Sequence, residues 1–211
     1  MTNFTETYLD LLKEHFTGLN LTRITEKEDF HNLQYIDSIA PFKEIPELAE
    51  MMKKTQYYVD IGFGGGFPLL PLAYLYPSVN FWGFEARNKK AVAVQSIANF
   101  MELKNVKAMH QRFENVNLDL DCLISFKAVG QIKDILSNLK GTGDLTCIFY
   151  KGPNVFDKEH VPKNCSGWTR ILEFDLAIPH TEGRKILVYK FKNVPRGTFS
   201  NKRLVKLSEL I

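Results

Sequence analysis

The chain has 211 residues, of which 45% are hydrophobic and 24% charged, a balance that suits a globular domain with a sizeable core. A formal net charge of only +3 excludes a polycation that coats nucleic acid with its whole surface. Three cysteines without a C-x-x-C pair argue against a disulfide scaffold or a zinc site, and the absence of a leader-like or membrane-spanning stretch predicts a cytoplasmic protein.

The first 54 residues have the spacing of helices. Apolar side chains recur at helical intervals from Tyr8 to Phe16 and again from Phe30 to Ile39. Thr25 with Glu28 matches the S/T-x-x-E pattern of a capping box, which predicts where the second helix begins. We expect residues 1–54 to form a helical extension packed on a larger domain of residues 55–211.

From residue 57 onward, short apolar runs alternate with helical patterns. The runs YYVDI, VNFWGFE, NVKAMH, LDCLISF and DLTCIFYKG predict strands, and PLLPLAYLY, KKAVAVQSIANFM and GQIKDILSNL predict helices between them. The segments TRILEFDLAI and RKILVYKF predict a closing β pair. This alternation is typical of an α/β fold with a doubly wound, mostly parallel sheet, here of seven strands.

The first strand is followed by an unusual turn, DIGFGGGF, with four glycines in five positions after Asp60. Glycine lets a backbone turn sharply and approach a ligand, and the next helix offers free N–H groups at its start. The dinucleotide pattern G-x-G-x-x-G fails, because Phe67 or Leu69 stands where its third glycine would be. The pattern present, D-x-G-x-G-x-G, resembles the first motif of class I S-adenosylmethionine-dependent methyltransferases.

Two further features follow the next strands. Glu85 ends the second strand, nineteen residues after Gly66, where a carboxylate can accept both hydroxyl protons of a ribose. Phe113 and Glu114 follow the third strand, where an aromatic ring can pack on adenine and a carboxylate can lie near its amino group. The alternatives are a surface acid at Glu85 and an ordinary core residue at Phe113.

Several short strings occur in the order typical of one bacterial family. They are GLNLTRIT, YIDSIAPF, VDIGFGGGFPLLPLAYLYP, NKKAVAVQSI, QRFENV, YKGPN and GRKILVYKFK. From about residue 8 to 192 the chain resembles the RsmG family, also called glucose-inhibited division protein B. The resemblance implies a class I (Rossmann-like) methyltransferase fold with added N-terminal helices. It also implies S-adenosylmethionine as cofactor and methylation at N7 of a guanine in the 530-loop region of 16S ribosomal RNA.

Glycine-loop positions and the resemblance together give a set of expected cofactor contacts: Asp60, Gly62, Gly64, Gly66, Phe67, Glu85, Phe113, Glu114 and Lys127. The family has an arginine in an S-R-A string after the fourth strand. This chain reads SFKAV there, so Lys127 replaces it without the planar fork of arginine. The family also places a basic residue and a histidine before D-S, whereas this chain reads NLQYIDS and His31 is out of register. Asn20, Asp37 and Ser38 either shape the substrate side or cap helices.

The implied reaction needs little acid–base chemistry, because guanine N7 carries a lone pair and no proton. An in-line transfer then depends mainly on alignment, and no catalytic residue is assigned beyond the positioning candidates Lys127 and Lys151. Eight basic residues and no acid between Arg184 and Lys206 predict a face that attracts an anionic partner. The candidates for RNA contact are Arg23, Lys89, Lys90, Lys151, Arg184 and Lys185.

The expected partner is 16S ribosomal RNA or the small ribosomal subunit, bound by a monomer that uses neither DNA nor a membrane. No metal is expected, since the five histidines show no ligand spacing. The alternatives are a nicotinamide-dependent dehydrogenase, an RNA-binding protein with an inactive nucleoside-binding fold, and a methyltransferase acting on a different RNA, a small molecule or a protein.

Overall fold

A computed structural model describes residues 3–191 and 204–210 of the chain. Four helices precede the first strand: α1 (Asn3–His15), α2 (Lys27–Phe30), α3 (Asp37–Glu44) and α4 (Pro46–Lys54), and a π-helical stretch, His31–Ile36, connects α2 directly to α3. The helical prediction for this part of the chain is confirmed. The capping box is wrong: Glu26 occupies the N-cap position of α2 and makes no side-chain cap, so Thr25 lies one residue too early.

The remaining elements alternate as the sequence predicts. The strands are β1 (Tyr57–Ile61), β2 (Asn80–Glu85), β3 (Val106–His110), β4 (Val116–Leu118), β5 (Cys122–Lys127), β6 (Lys140–Gly141), β7 (Leu145–Lys151), β8 (Asn164–Cys165), β9 (Trp168–Leu176), β10 (Arg184–Phe191) and β11 (Val205–Lys206). The helices are α5 (Leu69–Leu75), α6 (Asn88–Phe100), α7 (Ile132–Asn138) and α8 (Val155–Lys158), with 3-10 turns at Phe113–Asn115 and Leu207–Glu209.

The main sheet has the order β3-β2-β1-β5-β7-β10-β9-β8. Its first five strands run parallel, while β10 is antiparallel to both β7 and β9. This confirms the doubly wound, mostly parallel sheet, with the two-residue strand β8 added at the edge as an eighth strand. A second sheet, β11-β4-β6, was not predicted, because strands of two or three residues are too short to show alternation.

Side chains from the sheet enter two hydrophobic cores, one on each face. Tyr58 and Phe81 lie in the core that α1–α6 cover, whereas Val59 and Ile61 lie in the core beneath α7 and the small sheet. The N-terminal helices therefore share a core with α5 and α6. The boundary between extension and domain at residue 54 stays a prediction.

The strand order fixes where a ligand can enter. From β1 the chain turns to β2 on one side, and it later returns to β5 on the other side of β1. The loops after β1 and β5 therefore diverge and open a crevice at their carboxyl ends, which is where ligands bind in open α/β sheets. Within the described residues, no helix is long and apolar enough to cross a membrane.

Candidate functional site

An open cavity of about 1090 Å³ lies at the carboxyl ends of β1, β2 and β5. Its walls are residues 62–65 with Phe67, Glu85 with residues 87–90, residues 127–129, and residues 19–24 with Gln34. The cavity thus lies between the glycine loop and the N-terminal helical part. Its volume is at the upper end of the range for small-molecule sites, which leaves room for a nucleoside and an incoming base.

The glycine loop is held on one side by β2. Gly62 N–H donates to the Phe84 carbonyl over 2.7 Å, and Gly64 N–H donates to Glu85 Oε2 over 3.1 Å. The second carboxylate oxygen of Glu85 accepts from Arg87 N–H over 2.9 Å. Each of these oxygens keeps a second lone pair, so Glu85 can still accept hydrogen bonds from a ligand.

The glycines of the loop face in different directions. Gly64 has a φ of +57°, and a Cβ there would meet nothing closer than the Gly62 carbonyl at 3.9 Å, so a side chain would project into the cavity. A Cβ on Gly66 would lie 2.8 Å from the Leu70 side chain. Gly66 therefore makes room for packing against α5, and its contact with a ligand stays a prediction.

Asp60 also lies away from the cavity, so its expected contact with a ligand stays a prediction. Its side chain is fully buried and does not line the cavity. Oδ2 accepts from Leu69 N–H over 3.0 Å and Oδ1 accepts from the Ser125 hydroxyl over 2.7 Å. Burial raises the pKa of Asp60 to about 7. Asp60 joins the first residue of α5 to β5 and so supports the loop from below.

Of the two aromatic candidates, Phe67 lies in the cavity wall and Phe113 does not. The Phe67 ring packs 5.1 Å from Tyr8 and 5.5 Å from Phe30, measured between ring centroids, so its bulk lies in the N-terminal core. The half-buried Phe113 ring meets Phe126 edge-on at 6.5 Å. Neither Phe113 nor Glu114 lines the cavity, and their place beside adenine stays a prediction.

Lys127 lies in the cavity wall, but its charge is directed toward Asp37. Its ammonium lies 2.7 Å from Asp37 Oδ2. Arg184 binds the same carboxylate, donating from Nε to Oδ1 over 2.7 Å and from Nη2 to Oδ2 over 3.2 Å. Burial would raise the pKa of Asp37, yet these two cations hold it below its ordinary value. The Lys127 ammonium exposes less than 1 Å², so a direct role in positioning a ligand is not supported.

Three of the six candidates for RNA contact are already paired with carboxylates. Arg184 is bound to Asp37, Lys151 lies 2.6 Å from Glu159, and Lys185 lies 2.7 Å from Asp175. The side chains of Lys151 and Lys185 are only 13% and 11% exposed. These pairings do not favour contact with phosphate, which stays a prediction for the three cations.

The other three candidates, Arg23, Lys89 and Lys90, line the cavity, and Arg87 joins them. Within the described residues, none of these four cations is in an ion pair, and all but the half-exposed Lys90 are exposed. We call these four residues the basic rim. Of the predicted basic C-terminal stretch, Lys192, Arg196, Lys202 and Arg203 lie outside the described residues.

Sequence reasoning missed Gln34, which lies in the cavity wall opposite the glycine loop. The Ser38 hydroxyl donates to the Gln34 carbonyl over 2.5 Å, and the Gln34 amide nitrogen is 3.4 Å from the Thr22 hydroxyl. Gln34 belongs to the π-helical stretch, a feature found often at functional sites. One sequence signal could have indicated Gln34. It lies three residues before Asp37, in the string NLQYIDS, where this chain departs from the family pattern. Asn20 also lines this wall, whereas Asp37 and Ser38 are buried in α3.

Comparisons with known sequences agree with this geometry. A sequence profile described as rRNA small subunit methyltransferase G matches residues 1–169. The chain is 30% identical over 209 residues to Ribosomal RNA small subunit methyltransferase G of Clostridium perfringens strain 13, which covers 92% of this chain and 84% of the relative. The protein of the same description from Flavobacterium psychrophilum is 33% identical over 150 residues, covering 63% and 71% of the two chains.

Solved structures confirm the fold class. A mutant of MtNAS superposes with a TM-score of 0.55 at 11% identity, covering 90% of this chain and 71% of that chain. The putative methyltransferase yhhF from Escherichia coli gives a TM-score of 0.53 at 10% identity, covering 75% and 86%. A mutant of MtNAS in complex with S-adenosylmethionine gives 0.50 at 11% identity, covering 90% and 74%.

Proposed function

Because this chain belongs to the rRNA small subunit methyltransferase G family, we propose that it transfers a methyl group from S-adenosylmethionine to N7 of a guanine in 16S ribosomal RNA. The observation that carries the proposal is the cavity at the switch point of the sheet, with the glycine loop on one wall and the basic rim at its edge. We place the reaction in the cytoplasm and assign it to a monomer whose substrate is RNA, not DNA or a membrane.

The residues at the ends of β1 and β2 suit the cofactor. Glu85 retains free lone pairs for ribose hydroxyls, and bonds of this charge-assisted kind are among the stronger ones. Gly64 leaves open the space that a Cβ would fill. We propose that Gly62, Gly64 and Glu85 contact the cofactor directly, with Phe113 and Glu114 toward its adenine. When bound, S-adenosylmethionine supplies a methyl group activated by a sulfonium.

The remaining members of the expected cofactor set act on the loop rather than on the ligand. Asp60 holds the start of α5, Gly66 allows close packing beneath the loop, and Phe67 anchors the loop in the N-terminal core. Lys127 lies in the cavity wall while its charge is paired with Asp37. This division explains why a loop rich in glycine can keep one shape.

The target base enters, in this proposal, between the glycine loop and the wall that carries Asn20 and Gln34. Amide side chains on that wall can donate to and accept from the edge of a base that has been turned out of its stack. Since N7 needs no deprotonation, alignment is the main requirement, and good alignment lowers a barrier by ~7–11 kcal/mol in favourable cases. The described cavity wall accordingly needs no general base.

The basic rim supports RNA as the substrate. Arg23, Arg87, Lys89 and Lys90 surround the opening without neutralising carboxylates in the described part of the chain. Contacts from such cations to phosphate supply affinity and fix orientation, while the base contacts provide selectivity. The cavity and the rim are adjacent, as a reaction on one nucleotide of a long polyanion requires.

The test is direct mapping of the product. Purified protein is incubated with labelled S-adenosylmethionine and small subunits that lack guanine methylation, and the 16S RNA is analysed by mass spectrometry. We expect one additional methyl group at N7 of a single guanine. Calorimetry with S-adenosylhomocysteine measures cofactor binding separately. RNA binding without cofactor binding would favour an RNA-binding protein with an inactive fold, and methylation elsewhere would correct the substrate.

A further inference from the structure

The hydroxyl of Tyr8, in helix α1, donates a hydrogen bond to the backbone carbonyl of Gly65, in the middle of the glycine loop. The two residues are 57 positions apart in sequence, and the oxygen atoms are 2.6 Å apart in a buried contact. We infer that Tyr8 is a positioning residue for the cofactor, which fixes the glycine loop in its binding shape without touching the ligand. This inference rests on the proposed function of the loop.

The loop needs support of this kind because of its composition. Gly64, Gly65 and Gly66 are consecutive, and peptide units between glycines rotate with little steric resistance. The other observed restraints on the loop are bonds from Gly62, Gly64 and Leu69 N–H to the sheet, and turn bonds from Gly66 and Phe67 N–H to the Phe63 carbonyl. They leave the carbonyl of Gly65 to be oriented from the opposite side, where α1 lies.

The packing of the Tyr8 ring fixes the position of its hydroxyl. Its ring is fully buried and packs against Phe30 at 5.0 Å and Phe67 at 5.1 Å between centroids. Burial raises the pKa of Tyr8, so the hydroxyl keeps its proton and remains a donor. Because Phe67 belongs to the turn that leads into α5, the ring and the hydroxyl of Tyr8 restrain the same loop at two points.

The neighbouring segment reinforces this arrangement. A Cβ on Gly65 would lie 2.5 Å from the Leu21 carbonyl, so the backbone of the loop and that of residues 19–24 are pressed together. Residues 19–24 form the opposite wall of the cavity. The N-terminal helical part therefore sets both the shape of the cofactor loop and its distance from the substrate wall, and a preorganised loop spends less binding energy on ordering itself.

The test compares Tyr8→Phe with Tyr189→Phe. Tyr189 is a matched control, because its ring is also buried and its hydroxyl donates to a backbone carbonyl, that of Pro162, over 2.5 Å. It lies in the other core and does not contact the loop. Affinity for S-adenosylhomocysteine is measured by calorimetry for wild type and both variants, and melting temperature is recorded for each.

We expect the two variants to lose similar thermal stability, while only Tyr8→Phe weakens cofactor binding, by about 3- to 10-fold. Hydrogen exchange in the cofactor-free protein should rise at residues 62–67 in Tyr8→Phe and stay at the wild-type level there in Tyr189→Phe. Equal affinities and equal exchange in the two variants would overturn the inference. Failure of the wild type to bind S-adenosylhomocysteine would instead overturn the proposed function, so the two failures are distinguishable.

Discussion

The ammonium of Lys127 and the carboxylate of Asp37 form a buried ion pair with a separation of 2.7 Å. The pair joins the end of β5 to helix α3, and Arg184 from β10 binds both oxygens of the same carboxylate. Three distant parts of the chain thus meet beside the cavity. Asp37 is the shared partner of both cations in this cluster, and we therefore assign the cluster to the architecture of the site rather than to ligand binding.

Replacing Asp37 should be strongly destabilising. Asp37→Asn leaves Lys127 and Arg184 facing one another without a counter-charge, and breaking a buried pair in this way costs about 3–5 kcal/mol of unfolding free energy. Chemical denaturation measures the loss. The exposed pair of Glu50 and Lys54 provides the control, since solvent screens such pairs and Glu50→Gln should leave stability nearly unchanged. Equal effects of the two substitutions would contradict the structural role of Asp37.

A carboxylate at Gly64 should prevent cofactor binding while leaving the fold intact. The position has a φ of +57°, which aspartate and asparagine tolerate better than most residues, and its Cβ would point into open space. Gly64→Asp also places a negative charge next to Glu85. We expect affinity for S-adenosylhomocysteine to fall at least tenfold, with a smaller loss in Gly64→Asn, which adds similar bulk without charge. Calorimetry of folded variants tests this order.

Glu85 should matter through its charge. Glu85→Gln keeps one acceptor oxygen but turns an amide group toward either Gly64 N–H or Arg87 N–H, which are both donors. We expect cofactor affinity to fall about tenfold, because charge-assisted bonds to the ribose are also lost. Calorimetric titration gives the affinity and circular dichroism checks the fold. Unchanged affinity would place the ribose elsewhere.

RNA binding should depend on the basic rim and not on the paired cations. Lys89→Ala should weaken binding and reduce the slope of log affinity against log salt by about 1, because one phosphate contact is removed. Lys185→Ala is the contrasting variant, since its charge is already bound to Asp175. Filter binding over a range of salt concentrations measures both. A larger loss of RNA affinity in Lys185→Ala than in Lys89→Ala would instead place the RNA-binding surface near β10.

The buried Asp60 predicts how stability varies with pH. Its pKa rises from an ordinary value of 3.8 to about 7 in the folded protein, so between these values the folded state holds a proton that the unfolded state has lost. The contribution of Asp60 to the free energy of unfolding is therefore complete below pH 3.8, declines as pH rises, and is lost above about pH 7. The limiting slope of this decline is about 1.4 kcal/mol per pH unit. The free energy of unfolding, measured from denaturation curves at a series of pH values between 3.8 and about 7, should decline less steeply for Asp60→Asn than for wild type.

The sequence predicted the order of strands and helices, the turn that carries the glycines and the acid at the end of β2. These features are local: a strand of alternating residues, a run of glycines and a terminal carboxylate can each be read from neighbouring positions. The location of Glu85 beside Gly64 also followed from the parallel pairing of adjacent strands. The two-residue strands and the π-helical turn at Gln34 were not predicted from the sequence, because they depend on contacts between residues that are far apart in the chain.

By itself, then, the sequence determined the fold class, the family and the edge of the sheet at which a ligand binds. Only the tertiary structure decided which charged side chains remain available to bind a ligand. The sequence does not show whether a lysine faces water or a carboxylate from a distant element. Lys127, Lys151 and Lys185 are paired with carboxylates that folding brings to them, while Lys89 has no carboxylate partner among the described residues. The same long-range folding brings Tyr8 to Gly65, across 57 positions, and so supports the glycine loop.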